Sequence, residues 1–240
     1  DYSLIRPEGA RLNTMGGRAS GPQPLVKLHD FIRETMHNAQ GRKLTTLEAH
    51  DICNQIAEIV VVGGVRRSSQ ISLSELNDKE MRHAKEWPFP IKRAMANNSA
   101  IFREKPSAAQ FLKEWASLAL SGTGERGIFN LNAAQNRAPS RRYAPLIQGT
   151  NPCGEIMLRD MEFCNLSEVV VRAEDDLDSL LDKVETATWL GVIQSSFTYF
   201  PYLRETWKKN CDVERLLGVS LTGQMDNPSV MTSEALKALK

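Results

Sequence analysis

After a stretch rich in glycine and proline over residues 8–24, apolar residues fall at helical spacing. Leu25, Leu28, Phe31, Ile32 and Met36 repeat every three or four positions, which predicts an amphipathic helix. A second helix is signalled at Thr45, because Glu48 three residues on completes a capping box. Its apolar stripe runs through Ile52, Cys53, Ile56, Ile59 and Val60, and Gly63-Gly64 is the expected stop. Val65-Arg66-Arg67-Ser68-Ser69 then reads as a polar loop feeding the alternating segment Gln70-Ile71-Ser72-Leu73, a predicted strand. Phe111, Leu112, Trp115 and Leu118 predict a helix after Pro106, and Gly127 to Leu131 predicts another strand. Residues 132–150 look polar and irregular. Asp176 to Phe200 reads as a long amphipathic helix stopped by Pro201, Leu216 to Leu221 as a strand, and Ala235 to Lys240 as a helical end. Helices and strands alternate without a repeat, the pattern of an α/β fold.

Composition narrows the function classes. With 41% hydrophobic and 25% charged residues and a formal charge of +1, the chain has the make-up of a globular protein. That charge gives no general pull toward nucleic acid or an acidic membrane surface. No apolar run approaches the roughly 18 residues of a membrane span, and the N-terminus shows no signal-peptide pattern. A cytoplasmic protein with no membrane partner and no direct nucleic-acid partner is therefore expected. The chain begins without an initiator methionine and ends in a helix without a stop, so a fragment of a longer protein is expected.

Four cysteines, Cys53, Cys153, Cys164 and Cys211, are too few and too scattered for a disulfide framework, and none forms a C-x-x-C. Cys53 sits on the apolar stripe of its helix and reads as core. Cys211, within Lys208-Lys209-Asn210-Cys211-Asp212, reads as incidental. His50 and Cys53 share a helical face, but two ligands do not make a metal site.

The segment Asn151-Pro152-Cys153-Gly154-Glu155 is different. Read as extended chain, it would send Asn151, Cys153 and Glu155 to one side, each about 6.6 Å from the next. An amide that donates and accepts, a thiol and a proton-accepting carboxylate would then share a face. Such a trio suits a substrate with vicinal hydroxyls, such as a ribose. The same spacing also suits an ordinary loop with a chance cysteine and an exposed carboxylate.

Asn151-Pro152-Cys153-Gly154-Glu155-Ile156 together with Phe163-Cys164-Asn165-Leu166 resembles the finger loop of ribonucleotide reductases. The two cysteines stand eleven positions apart (153 to 164), a short spacing that resembles the adenosylcobalamin-dependent class rather than the di-iron class. Further blocks match in the same order: Ile5-Arg6-Pro7, Gly16 to Pro22, Asp51-Ile52-Cys53-Asn54, Val65 to Ser68, Ala96-Asn97-Asn98-Ser99 and Gly218-Val219-Ser220. The chain is most similar to the monomeric ribonucleoside triphosphate reductases of that class.

The resemblance implies that residues 1–240 are the central part of a catalytic domain, a ten-stranded α/β barrel threaded by the finger loop. It implies reduction of a ribonucleoside di- or triphosphate, with adenosylcobalamin as the radical source. Cys153 would become a thiyl radical and take the 3′ hydrogen, Glu155 would accept the 3′-OH proton, and Asn151 would hold the hydroxyls. Cys164 matches one of the two cysteines that are oxidised to a disulfide; its family partner lies upstream. Thioredoxin or a similar dithiol would restore the pair. The resemblance also makes Ala19, Ser20 and Gly21 a substrate-adjacent loop, and Gly64, Arg66 and Arg67 part of the loop through which a deoxynucleotide effector acts. Plain turn chemistry and a helix cap with two solvated arginines account for those two segments equally simply. The rival readings are a glycyl-radical-type barrel enzyme, whose glycyl motif is not seen, and a non-catalytic nucleotide-binding fragment.

Overall fold

The computed structural model describes residues 1–14, 16–62 and 65–240. They divide into two compact units, one of residues 1–138 with 149–157, the other of residues 139–148 with 158–240.

The first unit opens with α1 (Gln23–Asn38) and α2 (Thr46–Ile59). The capping box at Thr45 forms as expected, and Arg42 grips the Glu48 carboxylate at 2.7 and 2.8 Å. Together with the Thr45 N–H, that guanidinium holds Glu48 down at about 2. Two expectations for α2 are overturned. The helix ends at Ile59, before the glycines, and a short hairpin of β1 (Val61–Val62) and β2 (Val65–Arg66) follows. Its buried face is His50, Asp51, Asn54 and Ala57, while Cys53 and Ile56 are exposed. Charge pairing accounts for the reversal. Asp51 accepts two hydrogen bonds from Arg93 at 2.8 and 2.9 Å, and His50 Nδ1 meets Ser72 Oγ at 2.7 Å. Asp51 and the Nδ1 side of His50 are paired inward in this way, while Asn54 is buried with both ends of its amide unpartnered among the described residues.

A parallel sheet follows in the order β3 (Gln70–Ser74), β4 (Ala96–Phe102), β5 (Gly127–Asn130). Ile71 lies opposite Asn97, and Ser99 opposite Gly127. Parallel neighbours need crossovers; α3 (Lys79–His83) lies between the first two strands and α4 (Ala108–Leu120) between the second pair. Ala96, Ala100, Ile101 and Phe102 of β4 are buried, with Met81, Ala84 and Leu131. On α4 the residues predicted to face the core, Phe111, Leu112 and Trp115, are exposed, and Glu114 is buried instead. Glu114 pairs with Arg82 and with Arg126, both in the interior. Where irregular chain was expected the structure has α5 (Leu131–Asn136) and β6 (Ile147–Thr150).

In the second unit β8 (Asn165–Val170) runs parallel to β9 (Leu217–Thr222), and α6 (Leu177–Ser195) packs on both. Val169, Val171, Leu180 and Ala187 form its core. Asp176 caps α6 by accepting from Ser179 N at 2.8 Å, so the helix starts where the sequence signals it but ends ahead of Phe200. α7 (Glu205–Glu214) stops at Arg215, in a left-handed conformation, and α8 (Ser233–Ala238) comes last.

The expected mixture of helices and parallel strands is present. Among the described residues the strands make four separate sheets of two or three strands, and no closed barrel. No described helix is long and apolar enough to cross a membrane.

Candidate functional site

β6 and β7 (Met157–Arg159) are hydrogen-bonded neighbours, and the residues between them fold into a tight turn. Gly154 N donates to Asn151 O at 3.0 Å, closing a four-residue turn over Pro152 and Cys153. Asn151 N donates to Ile156 O at 3.2 Å, and Ile156 N returns a bond to Asn151 Oδ1 at 3.0 Å. The extended reading of this segment is therefore wrong. Pro152 at the second position and Gly154 at the fourth, with φ of +89°, are turn residues that outweigh any alternation of side chains.

The chemistry-bearing groups stand on that turn. Cys153 and Glu155 are both exposed, on either side of Gly154. Asn151 is half-buried; its carbonyl end is committed to Ile156 N and Thr150 Oγ1, which leaves its NH2 end as the one to meet a ligand. The turn rests on the first unit's sheet at two points. Asn97 Nδ2 of β4 donates to Pro152 O at 2.8 Å. A side-chain carbon on Gly149 would stand 3.3 Å from Leu73 Cδ1 of β3, so β6 lies close to the sheet here.

Cys164 lies in the second unit, half-buried, with its thiol 3.7 Å from Asn165 O. It lines a cavity of about 260 Å³ with Phe163, Asn165, Phe200, Cys211 and Arg215. Phe163 stacks on Trp207 with ring centroids 4.5 Å apart, which fixes the backbone just before Cys164. Behind it Glu214 takes both Arg142 and Arg159, and Arg142 also reaches Glu162 at 3.6 Å. Burial pushes the Glu162 carboxyl above its ordinary range, against the opposing hydrogen bond from Arg159 N. Cys211 is not the surface residue expected: it is buried, and burial pushes its thiol up. All four cysteines are thiols.

Ala19, Ser20 and Gly21 line a cavity of about 450 Å³ in the first unit, with Arg6, Arg18 and the first turn of α1 on its walls. Arg18 and Arg11 face each other across an antiparallel bridge, and Gly21 has φ of +74°, where an added Cβ would lie 3.0 Å from Glu8 N. On the expected effector loop, Gly64 and the Arg66 side chain lie outside the described residues, and Arg67 is exposed. Cys53, expected in the core, instead lines a cavity of about 390 Å³ with His50, Ser72 and Asp78. Among the described residues no group of three or more His, Cys, Asp and Glu is arranged to hold a metal ion.

Asn97 is singled out in the sequence only as part of the block Ala96-Asn97-Asn98-Ser99, with no role attached; its contact with the turn appears only in the folded sheet.

Comparison with known proteins adds a family. The family model described as ribonucleotide reductase, barrel domain, matches residues 65–226, more than half of the chain. The chain is also similar to proteins named adenosylcobalamin-dependent ribonucleoside-triphosphate reductase. In Lactobacillus delbrueckii subsp. bulgaricus the identity is 34% over 233 residues, covering 94% of this chain and 31% of the relative. In Lactobacillus gasseri it is 34% over 238 residues, and in Lacticaseibacillus paracasei 34% over 235, each covering 94% of this chain and 30% of the relative. The chain thus spans less than a third of the length of these relatives.

Proposed function

The chain belongs to the ribonucleotide reductase barrel-domain family, and from that premise we propose that residues 1–240 are the central part of a catalytic barrel that reduces ribonucleotides to 2′-deoxyribonucleotides. The proposed substrate is a ribonucleoside triphosphate, as in the names of the relatives. In the whole protein the separate sheets would be completed into the ten-stranded barrel, with the cysteine-bearing turn as the tip of its finger loop. The observation that carries this reading is the turn itself, which presents a thiol and a carboxylate in the open, two residues apart.

The chemistry divides among named groups. The Cys153 thiyl takes the hydrogen from C3′ of the ribose and returns it at the end of the cycle. Glu155 accepts the 3′-OH proton as general base, and the free NH2 end of Asn151 orients the hydroxyls. The 2′ oxygen leaves as water, and two thiols supply two electrons and two protons as they close to a disulfide. Cys164 is one of the two, and a dithiol such as thioredoxin reopens the bond by exchange. Ala19, Ser20 and Gly21, beside Arg6 and Arg18, form a wall for ribose and phosphate. Arg66 and Arg67 suit a deoxynucleotide effector, since a guanidinium pairs well with phosphate.

The proposed cofactor is adenosylcobalamin, which when bound supplies the initiating radical. An exposed thiol at Cys153 fits that partner at the reacting end. No residue of this chain is assigned to hold the corrin.

The test is deoxynucleotide formation by the complete protein with adenosylcobalamin and a dithiol. Glu155→Gln is expected to lose activity by about a hundredfold or more, the scale of a general base. Cys164→Ser is expected to stop multiple turnovers. Normal rates in both variants would defeat the assignment.

A further inference from the structure

We propose that Asn97 is a positioning residue for the Cys153 thiol, acting through the carbonyl of Pro152; this rests on the reading of Cys153 as the radical-bearing cysteine. The turn runs from Asn151 to Gly154, closed by the 3.0 Å bond between its ends. Its middle peptide joins Pro152 to Cys153. That peptide is the one that rotates when a turn changes between types I and II, which carries the third residue from φ near −90° to near +80°. Proline at the second position accepts either form. Cysteine at the third position disfavours the type II form, so the turn's own sequence leans to type I, and what it leaves unset is how firmly this peptide is held.

The Cys153 backbone has negative φ, as in the type I form. Turn closure uses the carbonyl of Asn151, not that of Pro152. What engages the Pro152 carbonyl is Asn97 Nδ2, at 2.8 Å and 55 residues away in sequence. Rotating the peptide would swing that oxygen off the donor and redirect the Cys153 side chain at the same time. One hydrogen bond thus ties the turn's middle peptide, and with it the direction of the thiol, to the central strand.

Asn97 itself is well held. It sits at the N-terminal end of the central strand, between buried Ala96 and buried Asn98. Asn98 N donates to Glu125 Oε2 at 2.6 Å, and Lys85 Nζ binds both Ala96 O and Glu125 Oε1 at 2.7 Å. The backbone on both sides of Asn97 is fixed by buried ionic contacts. Its side chain is exposed and donates to the carbonyl of the turn. The positioning of a reactive atom is where small displacements matter, since a shift of about 1 Å can cost about a hundredfold in rate.

The experiment uses the complete reductase with its cofactor and compares Asn97→Ala, Asn97→Asp, Asn97→Gln and Cys153→Ser. Alanine removes the donor, aspartate replaces it with an acceptor of equal size, and glutamine keeps a carboxamide donor on a longer arm. The expected result is a fall in kcat of about tenfold or more for Asn97→Ala and Asn97→Asp, with KM within about twofold of the parent. Asn97→Gln should recover most of kcat, a rescue that a general loss of packing would not give. Parent-like kcat in the alanine and aspartate variants, alongside an inactive Cys153→Ser, overturns the role of Asn97 alone. Activity retained by Cys153→Ser overturns the thiol assignment on which it rests. Equal loss in all three Asn97 variants with KM rising in step, or failure of the variants to fold, makes Asn97 a structural residue and also overturns the proposal.

Discussion

Removing the Glu114 carboxylate tests whether the first unit's interior is held by paired charge. Glu114 is 3% exposed and accepts from Arg126 Nη2 at 3.2 Å and from Arg82. Arg126 is itself 2% exposed, and it also donates to Ser74 Oγ at 2.7 Å and to Glu75 O. Burial already pulls the Arg126 guanidinium below its usual value, with Glu114 as the main opposing influence. An arginine does not shed its proton in a protein, so Glu114→Ala strands a buried charge. The expected cost is about 3–5 kcal/mol, the range for breaking one side of a buried pair. Glu114→Gln keeps an acceptor and should cost less, about 1.5–3 kcal/mol, the strength of a charged hydrogen bond. The triple change Glu114→Leu with Arg82→Met and Arg126→Met should come back to within about 1 kcal/mol of the parent, because the triad is removed whole. Urea unfolding followed by tryptophan fluorescence is the assay, since Trp115 adjoins Glu114 on α4. A loss under about 1 kcal/mol in Glu114→Ala, or a triple variant as damaged as the single one, would refute the reasoning.

Two further outcomes follow from particular sites. His50 is buried, and desolvation lowers its pKa. The unfolded state then binds more protons, so its contribution to stability is complete above about pH 6.5 and is lost as pH falls below that; unfolding midpoints measured between pH 5 and 8 should rise with pH and lose that slope in His50→Gln. A slope unchanged in the variant contradicts the assignment. Gly223 has φ of +73°, and an added Cβ would lie 2.5 Å from Val171 O. Gly223→Ala should therefore destabilise the second unit by about 2–4 kcal/mol, from strained backbone and overpacking together, and a melting temperature equal to the parent's would contradict that.

Sequence signals that act over a few residues are legible in the fold. The capping boxes at Thr45 and Asp176 fix helix starts through bonds three residues apart, and both helices begin there. The alternation at Gln70 to Leu73 became β3. The buried faces of α2 and α4 are not legible in apolar spacing, because ion pairs with residues far along the chain, Asp51 with Arg93 and Glu114 with Arg82, turn polar positions inward. Apolar spacing carries no information about such partners. At the site the residue types are legible, and their conformation lies in Pro152 and Gly154, which spell a turn that overrides the alternation of side chains. Asn97 was out of reach, since only the folded sheet brings it to Pro152.

The most direct trial is the yield of 2′-deoxynucleotide from the complete protein when the sulfur at position 153 is exchanged for oxygen. With Cys153→Ser and an intact fold, product should be undetectable even in a single turnover, when no reductant has to be regenerated. Appearance of deoxynucleotide at the parent's rate would contradict the account.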